Sequence, residues 1–284
     1  YLLLLVPLAF FIIFRYVPMS YILLAFKKNN ILKAPWLLDW AKNGGWEWFI
    51  KAFNDKNFID ALKNTIILNL LDLVIGTPMP ILMALLLNEL AFPKFKRVAQ
   101  TVLYLPHFLS WVIISSLSLR LLATNDGLVN QIFGTNIAFL GTENNWRATY
   151  IVLGIWKECG WNTIIYLAAL TGISPELYEA AAIDGAGIWQ RIIHIMIPAI
   201  KKLAGTLLIL QIISVFQIMY EPMVLTKGGP DNASLSLMQL MWQYAFGGSM
   251  NYGKASAVAV IVTLILLVMT AIYSYFDRKE SDWD

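Results

Sequence analysis

The chain has 284 residues, 58% of them hydrophobic and 14% charged, with a formal net charge of +3 and a mean hydropathy of +0.63. A soluble domain carries about a quarter charged residues, so this composition excludes an ordinary soluble fold and points to lipid as the solvent. The small net charge, with no basic run, argues against nucleic acid as a partner, and a single cysteine, Cys159, excludes an internal disulfide or a Cys-rich metal site.

In chain order, six apolar runs reach the length of about 20 residues that a membrane helix needs: 1–26, 61–87, 98–122, 148–171, 201–221 and 253–276. The expected fold is therefore an all-α, polytopic membrane protein of about six transmembrane helices, with 1–284 as one membrane domain. The chain opens at Tyr1 inside an apolar run, so a further N-terminal piece is expected ahead of it. Residues 1–26 have no basic leader region and no Ala-x-Ala site, and read as a membrane helix in place of a signal peptide. Pro7, Arg15 and Pro18 predict a kink there, or a split into a span and an exit segment. Residues 27–60 are rich in Lys, Asn and Trp, and "WEWFIKAF" within them reads as a short amphipathic helix at the interface. Pro78 and Pro80 should bend the second span.

Residues 88–97, "NELAFPKFKR", form a short basic turn, and "TNDG" and "GTENN" mark a polar connection over 123–147. Lys and Arg at the span ends leave the orientation open: Lys94, Lys96 and Arg97 lie on one side, and six lysines of the 27–60 loop lie on the other. Within the spans Lys157 and Glu158 stand out, flanked by Trp156 and Trp161. Polar groups in lipid are costly and face a cavity or a partner. Adjacent helical positions lie about 100° apart, so the two need not form one salt bridge, and they serve equally for packing and topology at an interface. Asn162, Gln211, Gln217, Tyr220 and Glu221, on the fourth and fifth spans, are further candidates for a polar path. Asp72, in the second span, is expected to pair with a neighbouring helix. His107 and His194 are far apart and make no metal case.

The polar stretch "YEAAAIDGAGIWQRIIHIMIP", 178–198, interrupts the apolar pattern. Ser174 and Pro175 form a favoured N-cap and first-turn pair, and Glu176 suits the first turn. Gly185 and Gly187 end that helix. Trp189, Ile192, Ile193 and Met196 then recur at helical spacing, and Pro198 marks the next break. Helix, glycine turn and helix make a compact knob outside the membrane. On the residues alone it serves equally as a plain surface loop.

Glu179, Ala180, Ala181, Gly185, Ile195 and Pro198 resemble the EAA loop of ABC importer permeases, in which a Gly follows the second Ala by four residues and Ile-x-Leu-Pro comes nine residues after that. Asp184, Ala186 and Gly187 extend the likeness, and Ile197 stands where the family has Leu. Leu225, Thr226, Gly228, Gly229, Pro230 and Ser234 look like the segment after the fifth span of sugar-type permeases. "WKECGWNTIIYLAALTGI", "YVPMSYILLAFK" and "LPHFLSWVI" are similar to the oligosaccharide and polysaccharide branch, so the resemblance runs along nearly the whole chain.

The resemblance implies a type I importer permease fold in a bacterial cytoplasmic membrane, with a path formed together with a second related permease. It implies two cytoplasmic ATPases that bind the ATP and Mg, an extracytoplasmic solute-binding protein and a sugar substrate. It makes Glu179 to Gly187 the ATPase-coupling segment, with Glu179 the docking residue or only a support for its own helix. It places 172–200 and both termini in the cytoplasm. No catalytic residue, metal or cofactor is expected in the chain itself, which lacks a Gly-x-x-x-x-Gly-Lys-Ser/Thr phosphate loop; "YGKAS" at 252–256 does not match. A permease for a non-sugar solute is the alternative. A membrane enzyme lacks a clustered acid, base or metal set, and a channel would not need the knob.

Overall fold

The computed structural model describes residues 2–30, 32–215, 218–248 and 250–281. They are almost entirely helical; among them no strand forms, only a single bridge between Lys27 and Trp40. We label the helices α1 (Leu4–Phe26), α2 (Glu47–Phe53), α3 (Lys56–Glu89), α4 (Pro93–Phe108), α5 (Trp111–Leu121), α6 (Glu143–Thr171), α7 (Pro175–Ile183), α8 (Ile188–Ile212), α9 (Tyr220–Thr226), α10 (Leu237–Phe246) and α11 (Tyr252–Ser281). Among the described residues four stretches are long and apolar enough to cross a membrane: α1, α3, α8 and residues Tyr252–Tyr275 of α11. The pair α4 and α5 makes a fifth if taken as one broken span. The 29 residues of α6 reach about 43 Å, enough for the ~30 Å hydrocarbon core, but its polar residues dilute its hydropathy.

Two of the expected spans, the third and the fifth, are corrected. The third is not one helix: α4 and α5 meet at 98°, because Pro106 ends α4 in a 3-10 turn and Leu109 and Ser110 are extended. The fifth begins earlier and ends earlier than 201–221. It is continuous with the second knob helix, and Tyr220 starts a separate short helix. Pro198 therefore does not break the chain.

The reason is shared by three prolines. The π-turns Ile12–Tyr16, Asp72–Gly76 and Ile192–Met196 are each followed two residues later by Pro18, Pro78 or Pro198. A proline ring crowds the carbonyl four residues back and leaves it without a donor. Those carbonyls belong to Phe14, Val74 and His194, all inside the π-turns. The widened turn bonds across them, as with the Thr77 amide on the Asp72 carbonyl at 2.9 Å, and the helix continues.

The chain forms two compact units. One holds 1–65, 216–219 and 235–284. Its core joins Ala25, Ala41, Trp48, Phe49 and Ala257, with Phe26, Val260 and Ile261 against them. The Trp48 indole donates to the Lys27 carbonyl at 2.8 Å. Asp55, just before α3, accepts from Tyr244 at 2.6 Å and pairs with Lys254, tying α3, α10 and α11 together. The other unit holds 66–215 and 220–234. Within it α6 packs along the second half of α3 and against α4 and α8. Gly160 of α6 lies so close to the Leu103 carbonyl of α4 that any Cβ would collide with backbone.

Candidate functional site

The knob is built by hydrogen-bond chemistry that the motif encodes. The Ser174 hydroxyl accepts from the Glu176 amide at 3.3 Å and opens α7. At its end Gly185 takes φ +74°, in the left-handed region. The Ala186 amide bonds the Ala181 carbonyl at 2.8 Å and the Gly185 amide bonds the Ala182 carbonyl at 3.1 Å. This is the Schellman closure, which needs a left-handed residue at one position. Ala181 and Ala186 supply the carbonyl and the amide of its outer bond. Nothing lies within 4 Å of the Cβ position of Gly185, so glycine is favoured there by backbone conformation and not by crowding. Gly187 then caps the next helix, its amide donating to Gln190 Oε1 at 2.8 Å.

The knob is clamped to the ends of three long helices. Ala84 and Leu85 of α3, Tyr166 and Leu170 of α6, and Ile192, Met196 and Ile200 of α8 form one buried cluster, with Tyr178 of α7 against it. Arg191 pairs with Glu89 at 2.7 Å. The opposite side is open: Glu179, Ala180 and Asp184 are exposed, as are Leu177, Ile183, Ile188 and Trp189. The short acidic helix thus presents a bare, apolar-rimmed outer side, while its inner side packs against α3, α6 and α8. His194 is exposed and, among the described residues, bonds its own helix at the Gln190 carbonyl.

In mid-α6 the structure brings Lys157 and Glu158 together at 2.8 Å, although neighbouring positions diverge on a helix. The buried Lys157 also donates to the His107 carbonyl at 2.9 Å, and Glu158 reaches His107 Nδ1 at 2.7 Å. The His107 ring stacks on Trp161 with centroids 4.4 Å apart and planes 6° apart, and Phe108 meets Trp161 edge-on. The break between α4 and α5 delivers His107 and Phe108 to this place. Glu158, Trp161 and Asn162 share one face of α6 by their i, i+3, i+4 spacing; Trp156 projects about 200° round from Glu158. The result is an aromatic surface edged by a carboxylate and an amide, with the buried Lys157 paired to Glu158. Such a surface can stack an apolar ring face and hydrogen-bond its hydroxyl edge.

A second polar set lies between α3 and α8. Gln211 donates to Asp72 at 2.8 Å and accepts from Thr77 at 2.8 Å. Gly76 leaves room for the Asp72 carboxylate to fold along its own helix. Tyr220 is exposed and Glu221 half-buried at the start of α9, not on the fifth span as expected. Gln217 lies outside the described residues. The Gly-Gly-Pro segment folds on itself: Gly229 has φ +66°, Thr226 donates to the fully buried Ser234 hydroxyl at 3.1 Å, and a Cβ at Gly229 would meet that hydroxyl at 2.9 Å.

Sequence reasoning missed His107, Thr77, Glu89 and Arg191. "LPHF" held a signal, a proline immediately before the histidine, but the partner of His107 lies 51 residues away.

A family model described as "Binding-protein-dependent transport system inner membrane component" matches residues 63–282. The chain is 40% identical to the polygalacturonan/rhamnogalacturonan transport system permease protein YteP of Bacillus subtilis (strain 168), over 95% of this chain and 85% of that one. It is 36% identical to Protein LplB of the same organism, over 98% and 89%. Among solved structures it is similar to a bacterial ABC transporter involved in the import of the acidic polysaccharide alginate, with a TM-score of 0.88, 32% identity and coverage of 98% and 94%. It is equally similar to a bacterial alginate ABC transporter in complex with an alginate pentasaccharide-bound periplasmic protein, with a TM-score of 0.89, 32% identity and coverage of 98% and 93%.

Proposed function

This chain belongs to the family of inner membrane components of binding-protein-dependent transport systems, and from that premise we propose that it is one of two permeases of an ATP-driven importer for oligosaccharides in a bacterial cytoplasmic membrane. A second, related permease completes the path. An extracytoplasmic binding protein delivers the sugar, and two cytoplasmic ATPases hold the ATP and Mg. The observation that carries the reading is the Schellman-closed knob, seated on the ends of α3, α6 and α8 while its acidic and apolar outer side stays bare. Glu179 to Gly187 dock on an ATPase. Closure of the ATPase pair moves the knob as a rigid body, and the helices attached to it open the path on the other side. Sugar then meets the Glu158, Trp161 and Asn162 face of α6. Trp156, Lys157, Gln211, Gln217, Tyr220 and Glu221 stand as further path candidates, and Asp72 holds Gln211 in place. Relatives that carry polysaccharide fragments by name support the sugar class.

The test is uptake of labelled oligosaccharides into proteoliposomes holding the chain with its neighbouring permease, ATPases and binding protein. Glu179→Ala is expected to lower uptake roughly tenfold, as the loss of about 1.4 kcal/mol of coupling would, while the complex still assembles. Unchanged uptake would remove the knob from the coupling role. Uptake of another solute class, with none of any sugar, would favour the non-sugar alternative.

A further inference from the structure

The first turns of α4 bear a feature that neither the knob nor the path uses. Lys94, Lys96 and Arg97 fall within four residues, and among the described residues none of the three makes an ion pair or a side-chain hydrogen bond. No acid stands in that turn. Beside them Phe95, Val98, Val102 and Leu105 recur at spacings of three and four, so they form one outward stripe, each more than half exposed. The helix Pro93–Tyr104 buries none of its residues fully. It lies at the knob end of its unit, four residues beyond the Glu89 that pairs with Arg191.

An apolar stripe flanked by unpaired cations is the pattern of a helix that meets a charged lipid surface: the stripe enters the acyl region and the cations stay with the headgroups. We infer that Lys94, Lys96 and Arg97, together with the stripe Phe95, Val98, Val102 and Leu105, form a binding surface for anionic phospholipid in the leaflet at the knob end of the chain. Lipid is favoured over an acidic protein by the length of the stripe. It runs without interruption from the first turn of α4 to Leu105 and the exposed Phe108, about 20 Å along the helix, which matches the depth of a leaflet of the ~30 Å hydrocarbon core with its headgroups. Naming that leaflet the cytoplasmic one rests on the transport reading; the binding itself does not.

The complex with the partner permease and ATPases is placed in nanodiscs, with an environment-sensitive fluorophore on Val98→Cys. Cys159, the single native cysteine, is buried. Quenching by brominated phosphatidylglycerol is compared with quenching by brominated phosphatidylcholine at equal mole fraction. Phosphatidylglycerol should quench more, with each cation contributing about fivefold in headgroup preference. The excess should vanish in Lys94→Gln/Lys96→Gln/Arg97→Gln and persist in Lys27→Gln/Lys28→Gln/Lys33→Gln. Equal quenching by both lipids in the unsubstituted cluster overturns the proposal. Quenching by neither, with a signal that changes only when the ATPases are removed, overturns it in favour of a protein contact. Uptake is read separately, so loss of transport with intact lipid preference, or the reverse, separates the two readings.

Discussion

Gly185 shows how a glycine can matter through its backbone conformation where a side chain would meet nothing. Its Cβ position is open, yet its φ of +74° costs an L-residue about 1–2 kcal/mol. Gly185→Ala should therefore assemble and keep part of its uptake. Gly185→Val, β-branched at a left-handed position, should lose uptake by at least roughly tenfold; equal uptake by the two variants would show that the turn conformation is not used. Asp55 makes a different point. Burial alone would raise its carboxyl, but hydrogen bonds from Lys254, Tyr244 and the Asn57 amide outweigh burial and hold it below its ordinary 3.8. A carboxyl lowered by folding adds stability that is present above the unfolded value and lost as pH falls through the folded one. The thermal midpoint of the purified protein should thus drop below about pH 4, and Asp55→Asn should remove that component and cost about 2 kcal/mol at neutral pH. An identical acid limb in Asp55→Asn would exclude the pair as its source.

At the scale of the element, proline and glycine act through helix geometry. The π-turn at Ile192–Met196 inserts one residue and so turns the knob about 100° relative to the rest of α8. Pro198→Ala restores the missing donor and removes the reason for the wide turn. Uptake should fall while assembly is retained, and cysteine cross-linking between 89 and 191 should weaken as Arg191 swings from Glu89; unchanged cross-linking would show that the π-turn is held by packing instead. Gly160 lets the backbones of α6 and α4 meet at Leu103. Gly160→Leu should separate them, lower the thermal midpoint by an amount corresponding to about 1–3 kcal/mol, and displace His107 from Glu158. A variant as stable as the parent would mean that α4 moves aside freely.

At the scale of the molecule, the polar clusters and the knob are not spread evenly over the two units. The knob, the His107–Glu158 cluster and the Asp72–Gln211 pair all fall in one, while the tryptophan-rich 27–60 loop and the last helix fall in the other. Reconstituted alone, the chain should neither hydrolyse ATP nor take up sugar, and both activities should appear when the ATPases, second permease and binding protein are added. ATP hydrolysis by the isolated chain would contradict the division of labour.

Much of this was legible beforehand because the information is local. The apolar runs declare membrane helices, and Ser174, Gly185 and the alanines around them declare a helix, its closure and a knob, since caps and left-handed turns depend on residues within one or two turns of each other. The α4–α5 break, the unbroken passage of α8 through Pro198, and the end of the fifth span before Tyr220 were not legible. A proline has two outcomes here, a break at Pro106 and a π-turn ahead of Pro198, so its presence alone does not give the path of the chain. The long-range pairs were equally hidden: His107 with Glu158, Gln211 with Asp72, and Arg191 with Glu89 join residues 51 to 139 positions apart. By itself the sequence determined the solvent, the helices and the shape of the knob, because hydrophobic length and backbone conformation are properties of short segments. Only the tertiary structure decided which polar groups meet between helices, because a charge or amide taken out of water has to find its partner wherever packing brings one within reach.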